Sequence, residues 1–410
     1  MNGLHENYRY AARPCNIDQP QKFFNGRLYA SQVQSHLCEQ AFGVTEVVLN
    51  IDYEEDRVLR FTEHLLGIII GASRLTNFGE PMNTKTMLTI ICCFLVSALI
   101  FGQTPAAPQQ TGPEKQTVAT AIPGVVAAGI KVERVWTGDM SADGLIGMAD
   151  GTLLLPEQGA DRISKVDKNG KKTVFLEDTN ETGGIAIDPK GRIIAVERGG
   201  VGGSFRGQPP RARTPRLSVL FPKKETLADN FEGKTFGVLA DIVADKKGGV
   251  YITEPGANSV YYYSPAGKFT RVTSDNEAAN GVMLSRDEKT LYVTNGPKGI
   301  LAYNVQPDGS IKNARLFANP EGGVDGLAID SEGRVYDCSR LGIQVMSADG
   351  KSLGLIPMPR GATTLAFAGP DKKTLYMIGR GHDGPGGDGP LARSMYKVQM
   401  LAQGFKGRAK

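Results

Sequence analysis

The sequence predicts an all-β chain built as a six-bladed β-propeller, and three observations carry that prediction. One pattern, a small or polar residue followed by a strand, a tight turn and a second strand, recurs about every forty residues from residue 140 onward. A second turn follows most copies about twenty residues later, so each unit supplies four short strands, the content of a propeller blade. Strand-like runs also flank the set at both ends, which is what ring closure needs.

The copies begin at Asp143, Gly183, Ala240, Asn280, Asp325 and Thr363. The second reads Gly183-Gly-Ile-Ala-Ile-Asp-Pro-Lys-Gly-Arg-Ile-Ile-Ala, and the others follow its pattern of apolar run, polar turn and apolar run. Each turn carries Asp, Gly, Lys or Pro, the residues that hairpin turns demand. The later turns are Lys168-Asn-Gly, Pro265-Ala-Gly, Pro307-Asp-Gly and Ala348-Asp-Gly. The long interval between Gly183 and Ala240 is taken up by a Gly-, Pro- and Arg-rich stretch from Gly199 to Arg216, expected as a surface loop. The run from Ile130 to Trp136 is expected to pair with the run from Ser394 to Met400 and so close the ring.

Composition limits the alternatives. A net charge of +4 over 410 residues argues for neither nucleic acid nor an anionic membrane as partner. Four of the five cysteines lie in the first quarter and only Cys338 beyond, so the repeat region relies on its core and not on disulfides. Of the histidines only His382 falls in that region, which excludes a multi-histidine zinc site there. There is no Gly-x-Ser-x-Gly elbow and no phosphate-binding glycine loop opening a helix, so serine-hydrolase and nucleotide chemistry are not expected.

Upstream, residues 82–103 have the layout of a signal peptide: Met82 and Lys85, an apolar stretch from Met87 to Phe101, and the small Gly102. The apolar stretch is short for a spanning helix. Cleavage and export to the periplasm or the exterior are expected, with a retained anchor or a buried helix as alternatives. Because such a leader belongs at an N-terminus, residues 1–81 are read as an unassigned segment upstream of the true start. The remaining organisation is a linker over 104–127, the propeller over 128–400 and a tail over 401–410.

The residues that open the six copies occupy equivalent positions, so they should ring the channel at one depth. Asp143, Asn280, Asp325 and Thr363 would place two carboxylates, a carboxamide and a hydroxyl there, donors suited to a hard cation such as Ca2+. Two facing carboxylates also repel unless a cation neutralises them. The bland alternative is that Asp-Gly and Asn-Gly merely make turns.

The repeats resemble the SMP-30/gluconolactonase/luciferin-regenerating-enzyme family. The resemblance lies in the Asn280-Gly-Val-Met-Leu segment with Lys289-Thr-Leu-Tyr-Val, in Asp325-Gly-Leu-Ala-Ile-Asp-Ser-Glu-Gly, in Phe231-Glu-Gly-Lys with Lys246-Lys-Gly-Gly-Val-Tyr-Ile, and in Leu365-Ala-Phe-Ala-Gly-Pro-Asp. It implies a divalent-metal-dependent hydrolase of lactones or related esters, with metal ligands at Asp143, Asn280 and Asp325 and with Asp325 as catalytic base. Two departures stand out. Asp143 replaces the family's glutamate, and Val238-Leu-Ala-Asp replaces its Arg-Pro-Asn-Asp, leaving Ala240 where a ligand is usual. A non-catalytic propeller that binds a ligand or partner around a structural Ca2+ is therefore the alternative. Glu157, Glu197, Glu254 and Asn295 end second strands near the same face, and His382 lies in a loop by the channel. Glu197, Glu254, Asn295 and His382 are the candidate substrate-binding residues, surface solvation being the plainer reading. A small-molecule lactone or ester is the only partner implied.

Overall fold

The structure is a computed structural model and describes residues 117–138, 141–200, 213–382 and 392–410. All the described residues fall in one compact unit, Gln109–Lys410. The expected leader at 82–103, the segment 1–81 and most of the loop expected between Gly199 and Arg216 lie outside the described residues.

Strands β1 (Thr117–Val118) and β2 (Lys131–Gly138) precede the repeats. Blade one comprises β3 (Ile146–Gly147), β4 (Leu153–Glu157), β5 (Arg162–Val166) and β6 (Lys172–Glu177). Blade two comprises β7 (Thr182–Ile187), β8 (Ile193–Glu197), β9 (Arg216–Phe221) and β10 (Glu225–Ala228), followed by a hairpin of β11 (Asn230–Phe231) and β12 (Lys234–Thr235). Blade three is β13 (Ile242–Ala244), β14 (Val250–Glu254), β15 (Ser259–Tyr263) and β16 (Phe269–Thr273). Blade four is β17 (Ala279–Leu284), β18 (Thr290–Asn295), β19 (Ile300–Val305) and β20 (Ile311–Ala318). Blade five is β21 (Leu327–Ile329), β22 (Val335–Ser339), β23 (Gly342–Met346) and β24 (Ser352–Pro357). Blade six takes β25 (Ala362–Ala368), β26 (Thr374–Arg380) and β27 (Arg393–Gln399) from the chain's end and β2 and β1 from its beginning, in the order β1-β2-β27-β26-β25.

The expected closure is present. β2 pairs antiparallel with β27, Glu133 opposite Lys397 and Thr137 opposite Ser394, so the exposed edge of β27 is covered by the same chain.

The turns form for a reason visible in the residues. In the inner hairpins of blades two, three and five, Asp188, Asp245 and Asp330 each accept backbone N–H bonds from the residues two and four positions on, at 2.8–2.9 Å. Gly191, Gly248 and Gly333 take φ of 74°, 91° and 82° at the same turns, a conformation that a side chain would strain. The Asp-x-x-Gly signature is thus a self-bonded turn, and its repetition sets the strand register.

The core lies between neighbouring blades. Ile146 and Leu154 of blade one pack with Ile185 and Ile193 of blade two, and Tyr336 of blade five meets Phe367 of blade six edge-on with ring centroids 5.0 Å apart. Burying each such side chain stabilises the ring by about 1.5–3 kcal/mol before chain entropy is counted.

Both terminal boundaries differ from expectation. Residues 117–127, read as linker, belong to the domain, because Ala119, Ile122, Val125 and Val126 are apolar and bury against blades five and six. Residues 401–410, read as a tail, cross the face where the innermost strands end. Phe405 N donates to Ile329 O at 3.1 Å, and Gly147 N donates to Ala409 O at 2.7 Å. Arg408 pairs with Glu288 at 2.6 Å, and the Lys410 ammonium reaches Asp241.

Candidate functional site at the channel mouth

The six equivalent positions do form a ring, and main-chain contacts between successive innermost strands hold it. Gly184 N donates to Ala240 O at 3.2 Å, and Gly326 N donates to Thr363 O at 3.1 Å. A Cβ on Gly144 would lie 2.2 Å from Gly183 O, and one on Gly281 would lie 2.1 Å from Asp325 O, so glycine after Asp143 and Asn280 is what lets the strands approach. The Asp-Gly and Asn-Gly steps therefore serve packing, and they also deliver the residue before each glycine to the axis.

The structure brings the three proposed ligands to one place. Asn280 Nδ2 donates to Asp325 Oδ1 at 2.9 Å, across blades four and five. Burial first, and then the negative charge of Asp143, push the Asp325 carboxyl up to about 8, with Arg380 opposing. Asp143 and Asp325 are thus electrostatic neighbours. Among the described residues no three His, Cys, Asp or Glu side chains cluster. A cation would rest on two carboxylates and one carboxamide, with Ala240 giving nothing from its side chain. That oxygen set fits a divalent ion of the hard class.

Several residues at the site were not anticipated. Arg198, at the end of β8 and 7% exposed, donates from Nη2 to Asp143 Oδ2 at 3.3 Å and from Nε to Leu239 O at 3.2 Å. It crosses Gly183, where an added Cβ would lie 2.6 Å from Arg198 Nε. Gly183 is thus the ring member that gives its side-chain space to an arginine. Arg380 at the end of β26 donates to Asp325 Oδ2 at 3.2 Å. Arg393 stands opposite Arg380 in the β26–β27 register. Burial holds its guanidinium below the usual arginine range, with the Asp143 charge working the other way. Asp241, next to Ala240, accepts from Val282 N at 3.1 Å and pairs with Lys410.

Asp337 was also missed. It lies in β22 where β14 and β18 carry Ile252 and Val293, and it is fully buried. Its Oδ1 accepts from Asp325 N at 3.2 Å, and its Oδ2 has no hydrogen-bond partner. Burial pushes its carboxyl well above the usual range, with the Asp325 N–H working the other way.

The second-strand residues are placed differently from the reading of them as substrate-binding or solvated. Glu197 is fully buried and pairs with Arg216, its cross-strand neighbour on β9, at 2.9 Å. Glu254 accepts from Tyr261 Oη at 2.7 Å and from Gly237 N at 2.5 Å. Asn295 Oδ1 accepts from Glu277 N at 2.6 Å. Glu157 pairs with Arg162 at 2.5 Å and with Lys172. These side chains turn into their own blades, because the register puts a partner directly opposite or at the next turn; Glu197 Oε1 alone among their carboxylate oxygens is buried without a hydrogen-bond partner. His382 is partly buried, and its carbonyl accepts from Arg360 at 3.1 Å.

The signal that could have found Arg198 was one residue away. Successive strand residues face opposite ways, so when Glu197 pairs outward along the blade, its neighbour is delivered toward the axis.

The fold and site define a six-bladed propeller whose channel mouth carries Asp143, Asn280 and Asp325 together with Arg198 and Arg380. The SMP-30/gluconolactonase/LRE-like region matches residues 141–379, more than half of the chain, and the protein belongs to that family. A lactonase of Staphylococcus haemolyticus is 30% identical over 54% of this chain and 70% of its own length. A pentonolactonase of Haloferax volcanii is 26% identical over 55% of this chain and 79% of its own. The match to a gluconolactonase of Zymomonas mobilis, 26% identical, covers 42% of this chain and spans only 53% of that relative. Among solved structures, a gluconolactonase of Xanthomonas campestris superposes with a TM-score of 0.56 at 23% identity, over 71% of this chain and 99% of that one. Regucalcin of Agrobacterium tumefaciens, described as a calcium-binding protein, gives 0.54 at 17% identity over 67% and 96%. At these identities the structures support the fold.

Proposed function

We propose that the protein is a divalent-cation-dependent hydrolase of lactones, with Asp143, Asn280 and Asp325 holding the cation, Ca2+ being the ion that regucalcin's description names. The observation that carries this reading is the placement of Asp325. It is held by Asn280, has Asp143 as an electrostatic neighbour, and its N–H donates to the buried Asp337. The lactonase names of the relatives support the substrate class.

The residues divide the work. A cation held by Asp143, Asn280 and Asp325 would supply Lewis acidity and favour the ionised form of Asp325. Asp325 takes the proton from the attacking water and returns it to the alkoxide oxygen that leaves when the ring ester opens. Asn280 fixes the orientation of the Asp325 carboxylate. Arg380 holds its second oxygen. Arg198 fixes Asp143, and Asp337 accepts from the Asp325 N–H beneath the site.

The leader-like stretch 82–103 supports export, and N-terminal sequencing of the native protein tests it, with recovery of residues 1–81 overturning it. Ala240 and the arginines on the two carboxylates favour a second reading, a binding propeller whose cation is structural.

Proton release on an aldonolactone panel, with EDTA and then Ca2+, separates the readings. Turnover that EDTA abolishes, Ca2+ restores and Asp325→Asn lacks supports the hydrolase. Absence of turnover, with Ca2+ still raising the melting temperature, supports the binding propeller.

A further inference from the structure

Blade three departs from the ring pattern at one further position. The residues that follow the six ring positions are Gly144, Gly184, Asp241, Gly281, Gly326 and Thr364, so blade three alone sets a carboxylate there. The Asp241 side chain lies between innermost strands. A Cβ on Gly184 would stand 2.9 Å from Asp241 Oδ1, and Asp241 Oδ2 accepts from Val282 N at 3.1 Å. Asp241 N donates to Thr253 Oγ1 at 3.0 Å, and that hydroxyl in turn donates to Asn280 O. Asp241 and Thr253 together hold the backbone on either side of Gly281, next to the carboxamide of Asn280 that orients Asp325.

The partner of this carboxylate arrives from the opposite face. Residues 401–410 cross that face as a strap, held at Ile329 by Phe405, at Glu288 by Arg408 and at Gly147 by Ala409. The strap carries Lys410 inward, 5% exposed, with its ammonium on Asp241 Oδ1. A lysine withdrawn from water in this way needs a paired charge, and the pair it makes stands one residue from the ring. The charge of Asp241 is among those that act on Asp325. The combined charge of Asp241 and Lys410 therefore bears on any cation that Asp143, Asn280 and Asp325 hold, because Coulomb interactions extend over such separations inside a protein. With Lys410 in place the pair is neutral.

We propose that Lys410 is a positioning residue for the cation site: it neutralises Asp241 from behind the ring, and so sets how tightly Asp143, Asn280 and Asp325 hold a divalent cation. The inference rests on the reading of those three residues as cation ligands and deepens it. Lys410 touches neither cation nor substrate and acts only through Asp241. The two charges oppose each other, so their removal has opposite effects. Lys410→Met leaves the carboxylate unopposed and strengthens the attraction for a cation. Asp241→Asn keeps an acceptor for Val282 N, leaves the ammonium unopposed and weakens that attraction. A pair that served the fold alone would behave otherwise, since losing either partner would disturb the same strands and weaken binding in both.

The test is calorimetry of Ca2+ with the metal-free full chain, with lactone turnover measured beside it. The Kd for Ca2+ is expected to fall about tenfold in Lys410→Met and to rise about tenfold in Asp241→Asn, a coupling of the size that separate sites show. In the double variant, and in Lys410→Arg, it should return to within about threefold of wild type. Circular dichroism checks that each variant is folded. Should Lys410→Met not fold, Lys410→Gln, which removes the charge and keeps a polar group, takes its place. Weaker binding in both single variants, or no change in either, overturns the proposal, and so does the absence of Ca2+ binding in wild type and every variant. Turnover separates this result from the hydrolase reading. If Ca2+ binds and no lactone is hydrolysed, the hydrolase reading fails, and the signs of the two Kd changes still decide the role of Lys410. If lactones are hydrolysed and both variants change Kd in the same direction, the hydrolase reading stands and Lys410 serves the fold alone.

Discussion

Asn280 in blade four reaches across to blade five and donates from Nδ2 to Asp325 Oδ1 at 2.9 Å. The bond links equivalent positions of adjacent repeats, so it exists because blades four and five pack side by side, and it leaves the Asp325 carboxylate with a fixed orientation. Asn280→Ala is expected to lower kcat/KM on lactones about 100-fold, the scale set by losing one positioned polar group. Because Asn280 is only partly buried, the melting temperature should change by no more than a few degrees. A large loss of stability with an unchanged kcat/KM per folded molecule would mean that the bond serves the fold alone.

Two glycines of the ring should respond differently to the same substitution. A Cβ on Gly183 would lie within 2.6–3.0 Å of Arg198 side-chain atoms, which can swing away. Gly183→Ala should therefore displace the guanidinium from Asp143 and alter activity while costing under about 1 kcal/mol of stability. A Cβ on Gly281 would meet the backbone oxygen of Asp325 at 2.1 Å, which cannot yield without moving the strand. Gly281→Ala should cost about 3 kcal/mol or more. Denaturant unfolding of the two variants, with a crystal structure of the first, checks both.

Lys410 and Asp241 form a buried ion pair, with side-chain exposures of 6% and 11%. Removing one partner leaves a buried charge without compensation, so Lys410→Met should destabilise by about 3–5 kcal/mol. Pairing it with Asp241→Asn should recover much of that loss. A double-mutant cycle by chemical denaturation measures the coupling, and strict additivity would show that the two groups do not depend on each other.

Glu157 provides a pH test. Burial pushes its carboxyl up, but bonds and charges from Lys172 and Arg162 outweigh burial and hold it below the usual glutamate range. A carboxyl depressed on folding contributes stability that is present above its unfolded pKa, about 4.3, and lost as pH falls through the folded value. Wild type should thus lose stability on acidification below that pH relative to Glu157→Gln. At pH 7 the variant should be weaker by about 3–5 kcal/mol. Stability curves that stay parallel from pH 7 to 3 would contradict the assignment.

Much of the fold was legible because each repeat carries its own instructions. Asp188, Asp245 and Asp330 bond their own turns, and the glycines beside them take the conformation that those turns need. Patterns of this local kind survive in sequence as a period. The ends of the domain were harder to read. Residues 117–127 and 401–410 make no repeat, and only contacts with distant blades show that they belong to it.

The site divides along the same line. By itself the sequence determined that Asp143, Asn280 and Asp325 stand at equivalent positions around one axis, because repeat symmetry converts register into geometry. Only the tertiary structure decided what surrounds them. Arg198 and Arg380 follow equivalent second-strand positions of blades two and six, but the period alone did not say that they turn to the axis, and Lys410 comes from outside the repeats. Whether a long side chain turns along its blade, as Glu197 pairs with its cross-strand Arg216, or across the axis, as Arg198 does, depends on the space left by a distant glycine and on the charges already present.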